Sequence, residues 1–328
     1  MKKYILIALI CVGCSGEKLG VSKKEDTTNS TENVKPKSNQ NGVRLVVLGT
    51  AQDGGSPHIG CKKDCCQQLW DNPDKTRQVV SLGVIDHQED KRFILEASPD
   101  FSNQAAMLNA YAGKEMDKMP DGILITHAHI GHYTGLMFLG REAKGAKNVP
   151  VHVMPKMANF LSNNGPWDQL ITLENIELRE LNNNQKNKLT PNIGVQPIQV
   201  PHRDEYSETV GFILSGNQKS ALFIPDIDKW EKWEEDIVDM ISDVDYAFLD
   251  ATFYDGQEIN NRDISEIPHP FVIESMELFK DLAEEERAKI HFIHLNHTNP
   301  LWTKESAEYQ NVIEAGFNVA EYGQVLDL

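Results

Sequence analysis

Cysteine is scarce in this chain: five occur in 328 residues, and two of them, Cys11 and Cys14, fall close to the N-terminus. That excludes a small disulfide-knit scaffold and leaves Cys61, Cys65 and Cys66 as the thiols of the folded part. Basic side chains are in the minority, 32 against 49 acidic ones, for a formal charge of −17. A phosphate backbone needs a basic surface to displace its counterions, so the balance argues against nucleic-acid binding. A small anionic substrate stays open if a metal or local cations neutralise it. Long apolar runs are missing too. The one at the N-terminus, in MKKYILIALICVGCSGEK, holds about ten mostly apolar residues, too few to span a bilayer as a mature helix. No internal repeat is visible.

What that N-terminal stretch does have is the layout of a secretory signal: two lysines, the apolar run, then small residues. Its end, Val12-Gly13-Cys14, looks like a lipoprotein cleavage box, which implies removal of residues 1–13 and lipidation of Cys14. An ordinary signal with an incidental cysteine is the alternative. Residues 15–42 contain almost no large apolar side chains and cannot offset the entropy of ordering, so they read as a disordered tether. The expected organisation is a signal peptide with lipobox (1–14), a tether (15–42) and one folded domain (43–328). Such a protein is exported, facing the periplasm or cell surface, and touches the membrane only through its lipid.

From Val43 onward, short β-branched runs such as RLVVLG, VVSLGVID, GILITH, SALFIPDI and IHFIHLNH have strand length and bounded ends. FSNQAAMLNAYAG, KWEEDIVDMISDV and PFVIESMELFKDLAEEERAK carry apolar residues every three or four positions, as helices do. The early strands cluster and helices intervene later, which suggests an α/β fold of packed sheets with helices outside.

In GILITHAHIGHYTG the strand GILIT runs into His127 and His129, which, two apart, share one side of an extended backbone. His132 follows at the start of an expected helix, GLMFLGREA. Three imidazoles converging at a strand end suit zinc or iron better than a structural role. His202 closes QPIQVPH, Asp226 closes ALFIPD and His294 lies in KIHFIHLNH, each where an apolar run ends and loops carry function. Taken singly, Asp226 could cap a helix and His202 could be a surface residue.

This ordered set, HxHxxH, a histidine, an aspartate and a late histidine, each after a strand, resembles the metallo-β-lactamase superfamily. The resemblance runs from Val43 to Leu328 and implies an αββα four-layer sandwich. VVLGTAQDGGSPHIGC, FILEASPD and HLNHTNP place the chain near the pyrroloquinoline quinone biosynthesis protein B group and the cyclic phosphodiesterase of phosphonate breakdown. It implies that His127, His129 and His202 hold one metal, that His132 and His294 hold a second, and that Asp226 bridges them. Zinc is the expected ion, with iron or manganese as alternatives.

The family motif is usually HxHxDH, and here position 131 is Gly. The second subsite is therefore expected to lose an anionic ligand and keep His132, His294 and Asp226, which still makes an open zinc site. Glycine here either widens the site or relaxes the backbone. For Cys61, Cys65 and Cys66, adjacent Cys65 and Cys66 pair with each other only under strain, and three thiols leave one over. By resemblance to the phosphodiesterase, they and His297 form a structural zinc site; a disulfide or free thiols are the alternatives. His269 matches that relative's catalytic histidine, as a general acid, or else is a loop residue ahead of a helix. Asp53 and His58 sit on a glycine-rich loop that either admits substrate or makes a tight turn, and Asp250 either orients a ligand histidine or acts as a cap. The activity expected is metal-dependent hydrolysis of a phosphodiester, cyclic phosphate or lactone-like ester. The alternatives are an iron-dependent oxidoreductase and a ligand-binding lipoprotein with a decayed site.

Overall fold

The computed structural model describes residues 42–259 and 266–328. The expected signal sequence, Cys14 and the expected tether up to residue 41 lie outside the described residues. In chain order the elements begin with β1 (Val43–Gly49), α1 (Asp64–Asp71), β2 (Ser81–Asp86), β3 (Lys91–Leu95), α2 (Phe101–Ala112), β4 (Gly122–Leu124) and α3 (Ile130–Tyr133). They continue with β5 (Val149–Val153), α4 (Pro155–Asn163), α5 (Trp167–Thr172), β6 (Ile176–Glu180), β7 (Asn187–Lys188), β8 (Gly194–Gln199), β9 (Val210–Ser215) and β10 (Ser220–Ile224). The last are α6 (Ile237–Ser242), β11 (Tyr246–Asp250), α7 (Val272–Phe279), α8 (Glu284–Arg287), β12 (Ile290–Ile293), α9 (Ala307–Glu314), β13 (Asn318–Val319) and β14 (Val325–Asp327).

These strands form two seven-stranded sheets, ordered β14-β1-β2-β3-β4-β5-β6 and β13-β12-β11-β10-β9-β8-β7. Both sheets are mixed. The pairs β3–β4, β10–β11 and β11–β12 are parallel, whereas β1–β2 and β9–β10 are antiparallel. The central strands are apolar throughout because both of their faces are covered. Leu45 and Val47 of β1 pack between the sheets with Phe212 and Phe223, while Val46 and Leu48 turn outward against α2 residues such as Ala105 and Leu108. In the other sheet Phe223 faces inward, and Leu222 and Ile224 meet Ile241 of α6 and Phe279 of α7. The layers are thus helix, sheet, sheet, helix. Burying a side chain such as Phe223 contributes about 1.5–3 kcal/mol, so the inner layer outweighs any single surface contact.

Three local expectations differ in detail. GLMFLGREA is not an α-helix: α3 begins earlier, at Ile130, and Thr134–Leu139 continues as a 3₁₀ segment. His132 lies inside α3 rather than ahead of a helix. The segment after Asp226 is 3₁₀ over Trp230–Lys232, and α6 begins only after Asp236, whose side chain accepts from Val238 N. Asp226 caps neither. The long helix expected after Pro270 splits into α7 and α8, with Lys280–Ala283 between them.

Because their sheets run parallel at these positions, the C-terminal ends of β3 and β4 lie along one edge, as do those of β10, β11 and β12. The backbone ties the two edges together: Val210 N donates to Thr126 O at 3.1 Å, and Leu295 N donates to Thr50 O at 2.8 Å. Every histidine and aspartate of the expected centre follows one of these strand ends or the adjoining loops. Among the described residues, no helix is long and apolar enough to cross a membrane.

Candidate metal centre

Asp226 follows β10 and is almost completely buried. Its Oδ2 lies 3.4 Å from His127 Nε2, 3.3 Å from His132 Nε2 and 3.9 Å from His294 Nε2. Its other oxygen, Oδ1, lies 3.4 Å from His202 Nε2 and 3.2 Å from His269 Nδ1. His129 completes the first half of the cluster, because donor atoms of His127, His129, His202 and Asp226 all fall within 4.8 Å of one another. The structure therefore brings together all six residues expected to hold metal.

Three of the rings are turned by a hydrogen bond on the nitrogen away from the centre. His127 Nδ1 bonds Thr126 Oγ1 at 2.9 Å, and His294 Nδ1 bonds Thr252 Oγ1 at 2.9 Å. In both rings this leaves Nε2 facing the centre. His129 is the reverse: its Nε2 bonds Glu205 Oε2 at 3.2 Å, leaving Nδ1 as the donor. Such outer partners fix tautomer and orientation in metal-binding histidines. Meanwhile the Nε2 atoms of His127, His132, His202 and His294, and Asp226 Oδ1, are buried without a hydrogen-bond partner among the described residues. Orphaned polar atoms on this scale are costly, and a shared cation is the chemistry that satisfies them together. The donor set fits one or two divalent ions.

The electrostatics divide the cluster. Burial pushes His127 well below the ordinary histidine range and His202 down to about 4, so both keep an open lone pair. For Asp226 burial works against ionisation, but the charges of His202 and His294 override it and hold the carboxyl well below the usual range. His132 goes the other way: burial disfavours its charged form, yet the Glu96 and Asp226 carboxylates raise it. His294 behaves alike, raised to about 10 against burial by Asp226, Asp250 and Asp53. That half of the cluster is built to hold positive charge, and an ion there competes with protons for the same lone pairs.

Residues that spacing does not mark complete the arrangement. Glu96, at the end of β3, is fully buried with Oε1 3.4 Å from His132 Nδ1. Glu96 and His294 both adopt left-handed backbone, with φ of 73° and 68°, conformations that cost a non-glycine residue roughly 1–3 kcal/mol. Both sit in the cluster. Asp53, from the loop after β1, places Oδ1 3.5 Å from His294 Nε2. It brings a second carboxylate to the half of the centre that the HxHxDH comparison leaves with the shared Asp226 alone. The cause is spatial: a Cβ on Gly131 would lie 1.9 Å from Asp53 Cβ, so the two positions occupy the same place.

His269 is buried beside the cluster, and its Nδ1 donates to Asp250 Oδ2 at 2.8 Å. Asp250 also accepts from Thr252 Oγ1 at 2.7 Å, the hydroxyl that holds His294. One buried carboxylate thus orients His269 directly and His294 through Thr252, instead of capping a helix.

The cysteines form a separate group. Cys61, Cys65, Cys66 and His297 place donor atoms within 4.8 Å of one another, and the three thiols are free, with Cys65 and Cys66 sulfurs 3.9 Å apart. The His58 amide donates to Cys66 Sγ at 3.3 Å, and His297 Nδ1 bonds Asn296 Oδ1 at 3.0 Å. Burial and neighbouring Cys66 push the Cys65 thiol up to about 12, so it needs a cation to ionise. Three thiols and an imidazole are a donor set that could hold a metal ion.

Residues 91–292 match the family described as beta-lactamase superfamily domain. Coenzyme PQQ synthesis protein B of Methylorubrum extorquens strain PA1 is 23% identical over 307 residues, covering 87% of this chain and all of that protein. Its counterpart in Xanthomonas campestris pv. campestris strain B100 is 22% identical, with the same coverage of both chains. Among solved structures, zinc-bound PqqB from Methylobacterium extorquens superposes with a TM-score of 0.71 at 21% identity, covering 87% of this chain and all of that one. A diphosphatase of the PhnP family gives 0.61 at 22% identity, covering 88% and 97%. At these identities the structures speak to the fold. With the family match spanning most of the folded part, the chain belongs to the metallo-β-lactamase superfamily.

Proposed function

We propose that this protein is an exported metal-dependent hydrolase acting on a small, anionic phosphodiester, cyclic phosphate or lactone-like ester. One observation carries the reading: four buried imidazole Nε2 atoms converge on the Asp226 carboxylate with no hydrogen-bond partner among the described residues. His127, His129 and His202 would hold one ion, His132 and His294 a second, and Asp226 both. Ions bound there supply an activated water and neutralise charge on the substrate's phosphoryl or carbonyl oxygen.

The chain's own groups do the rest. His269 stands at the margin of the cluster with Nδ1–H held by Asp250, so that its charged imidazolium form carries a second, transferable proton on Nε2. It gives that proton to the departing oxygen as the bond to phosphorus or carbonyl carbon breaks, and regains one from solvent. Asp250 holds the ring at the needed angle and favours its charged form. Glu205 and Thr126 keep His129 and His127 aimed while substrate enters.

Export follows from the N-terminal signal, with Cys14 lipidated and residues 15–42 as tether. The full-length similarity to coenzyme PQQ synthesis protein B supports a second reading, an iron-dependent oxidoreductase using the same cluster. Hydrolysis of bis(p-nitrophenyl) phosphate by purified mature protein separates the two. Turnover abolished by chelator, restored by zinc and absent in His127→Ala supports the hydrolase. Iron retention with oxygen uptake and no hydrolysis favours the oxidoreductase. A wild type that binds no metal at all would refute both.

A further inference from the structure

We infer that Asp53 is the carboxylate ligand of the second metal subsite, moved in sequence from position 131 to the loop after β1, and that Gly131 is the space this move requires. The inference rests on the two-ion reading above. Four observations carry it. Asp53 Oδ1 lies 3.5 Å from His294 Nε2. Donor atoms of Asp53, His132, Asp226 and His294 all fall within 4.8 Å of one another, a four-residue set of the size and composition a divalent cation takes. A Cβ built on Gly131 would lie 1.9 Å from Asp53 Cβ and 2.9 Å from its Cγ, so the Asp53 side chain starts from the point where a side chain at 131 would start. Gly131 has an ordinary helical setting in α3, so its lack of a side chain answers to crowding by Asp53 and not to a turn.

The loop is also held where a ligand must be. Gln52 N donates to Leu295 O at 2.9 Å, and Leu295 N donates to Thr50 O at 2.8 Å, so the backbone beside Asp53 is laced to the residue that follows His294. Gln52 reaches back as well: its amide bonds Asp53 Oδ1, and its Oε1 accepts from Gly54 N at 3.0 Å. The carboxylate is thereby oriented before any ion arrives, as outer partners orient ligands elsewhere in the cluster. The second subsite then has two imidazoles and two carboxylates, and keeps the anionic donor that the sequence motif lacks.

The decisive experiment counts ions. Chelator-stripped mature protein is retitrated with Zn²⁺ by calorimetry, and bound metal is measured after desalting, for wild type, Asp53→Asn, Asp53→Ala and Cys66→Ser. Wild type is expected to take three equivalents, two at the centre and one at the cysteines. Both Asp53 variants should lose one central equivalent or bind it at least tenfold more weakly, while keeping the first central ion and the cysteine-bound ion. Cys66→Ser should lose a different equivalent, so that Asp53→Asn with Cys66→Ser retains one. Metal-free circular dichroism spectra of the Asp53 variants should match wild type. If Asp53→Asn and Asp53→Ala bind the same number of ions with affinities within twofold of wild type, the inference is overturned. It is equally overturned if both are unfolded without metal, since Asp53 would then be structural. A wild type taking no central ion overturns the two-ion reading itself, a distinct result.

Discussion

Acid should weaken this fold through His291, and the size of the effect is calculable. His291 and His294 sit three apart in KIHFIHLNH, yet they do different work. His291 lies within β12 and is buried, its ring stacked on Phe248 with centroids 5.1 Å apart. Burial pushes its pKa down from 6.5 to about 4, so the folded protein keeps it neutral. The unfolded chain protonates it near 6.5 and therefore binds more protons below that pH. The sign follows: His291 costs nothing above pH 6.5, and stability is lost progressively as pH falls from 6.5 towards 4. Between pH 7.5 and 4.5 the linkage amounts to about 2.5 kcal/mol, nearly two factors of ten in the folding equilibrium.

The assay is urea unfolding of chelator-stripped wild type and His291→Leu at both pH values, compared as a difference of differences. Stripping the metal removes the competition between ions and protons at the centre, and the subtraction removes every other titration the two proteins share. Wild type should lose about 2.5 kcal/mol more than the variant across this range. Parallel losses in the two proteins would refute the reasoning, because they would mean that the imidazolium is hydrated or held by an acceptor in the folded state, where Nδ1 meets only the Gln324 amide at 3.5 Å.

Three further outcomes follow from the site. Asp250→Asn should lower turnover about 100-fold or more and shift the acidic arm of the pH–rate profile, and His269→Gln should do the same, with greater loss for substrates bearing poor leaving groups and with central metal content retained in His269→Gln. Glu96→Gln removes the buried charge beside His132 and should weaken the second central ion by about 10- to 100-fold in zinc titration, leaving the first unchanged. Cys66→Ser should lose one zinc per chain and unfold at lower temperature in holo form, whereas stripped wild type and stripped variant should melt within a few degrees of each other.

Much of the fold and one arm of the centre can be read directly from the chain. Strands covered on both faces leave unbroken apolar runs such as SALFI, and the three histidines at 127, 129 and 132 are close enough to advertise a shared ligand. His202, Asp226 and His294 are legible because each follows such a run. Helix lengths are less so: the periodicity over 270–289 continues through Lys280–Ala283, where the chain turns instead. Glu96 and Thr252 escape notice because nothing local distinguishes an orienting carboxylate or hydroxyl from an ordinary strand-end residue. Their roles exist only once β3 lies beside β4 in one sheet and β11 beside β12 in the other.

Gly131 is the sharpest case of that limit. Read along the chain, it is a missing ligand, and the natural consequence is a weakened second subsite. Read in space, residue 131 and residue 53 compete for one volume, so a glycine at the first is the condition for an aspartate at the second. An aspartate at both would place two Cβ atoms 1.9 Å apart, and at neither would leave His132 and His294 facing Asp226 alone. Gly131→Asp on its own should therefore lower central zinc occupancy, since the new side chain must push the Asp53 loop off its hydrogen bonds to Leu295 before it can ligate anything. Restoring the family motif at residue 131 without touching residue 53 should impair metal binding, and higher zinc affinity in that variant would refute the exchange.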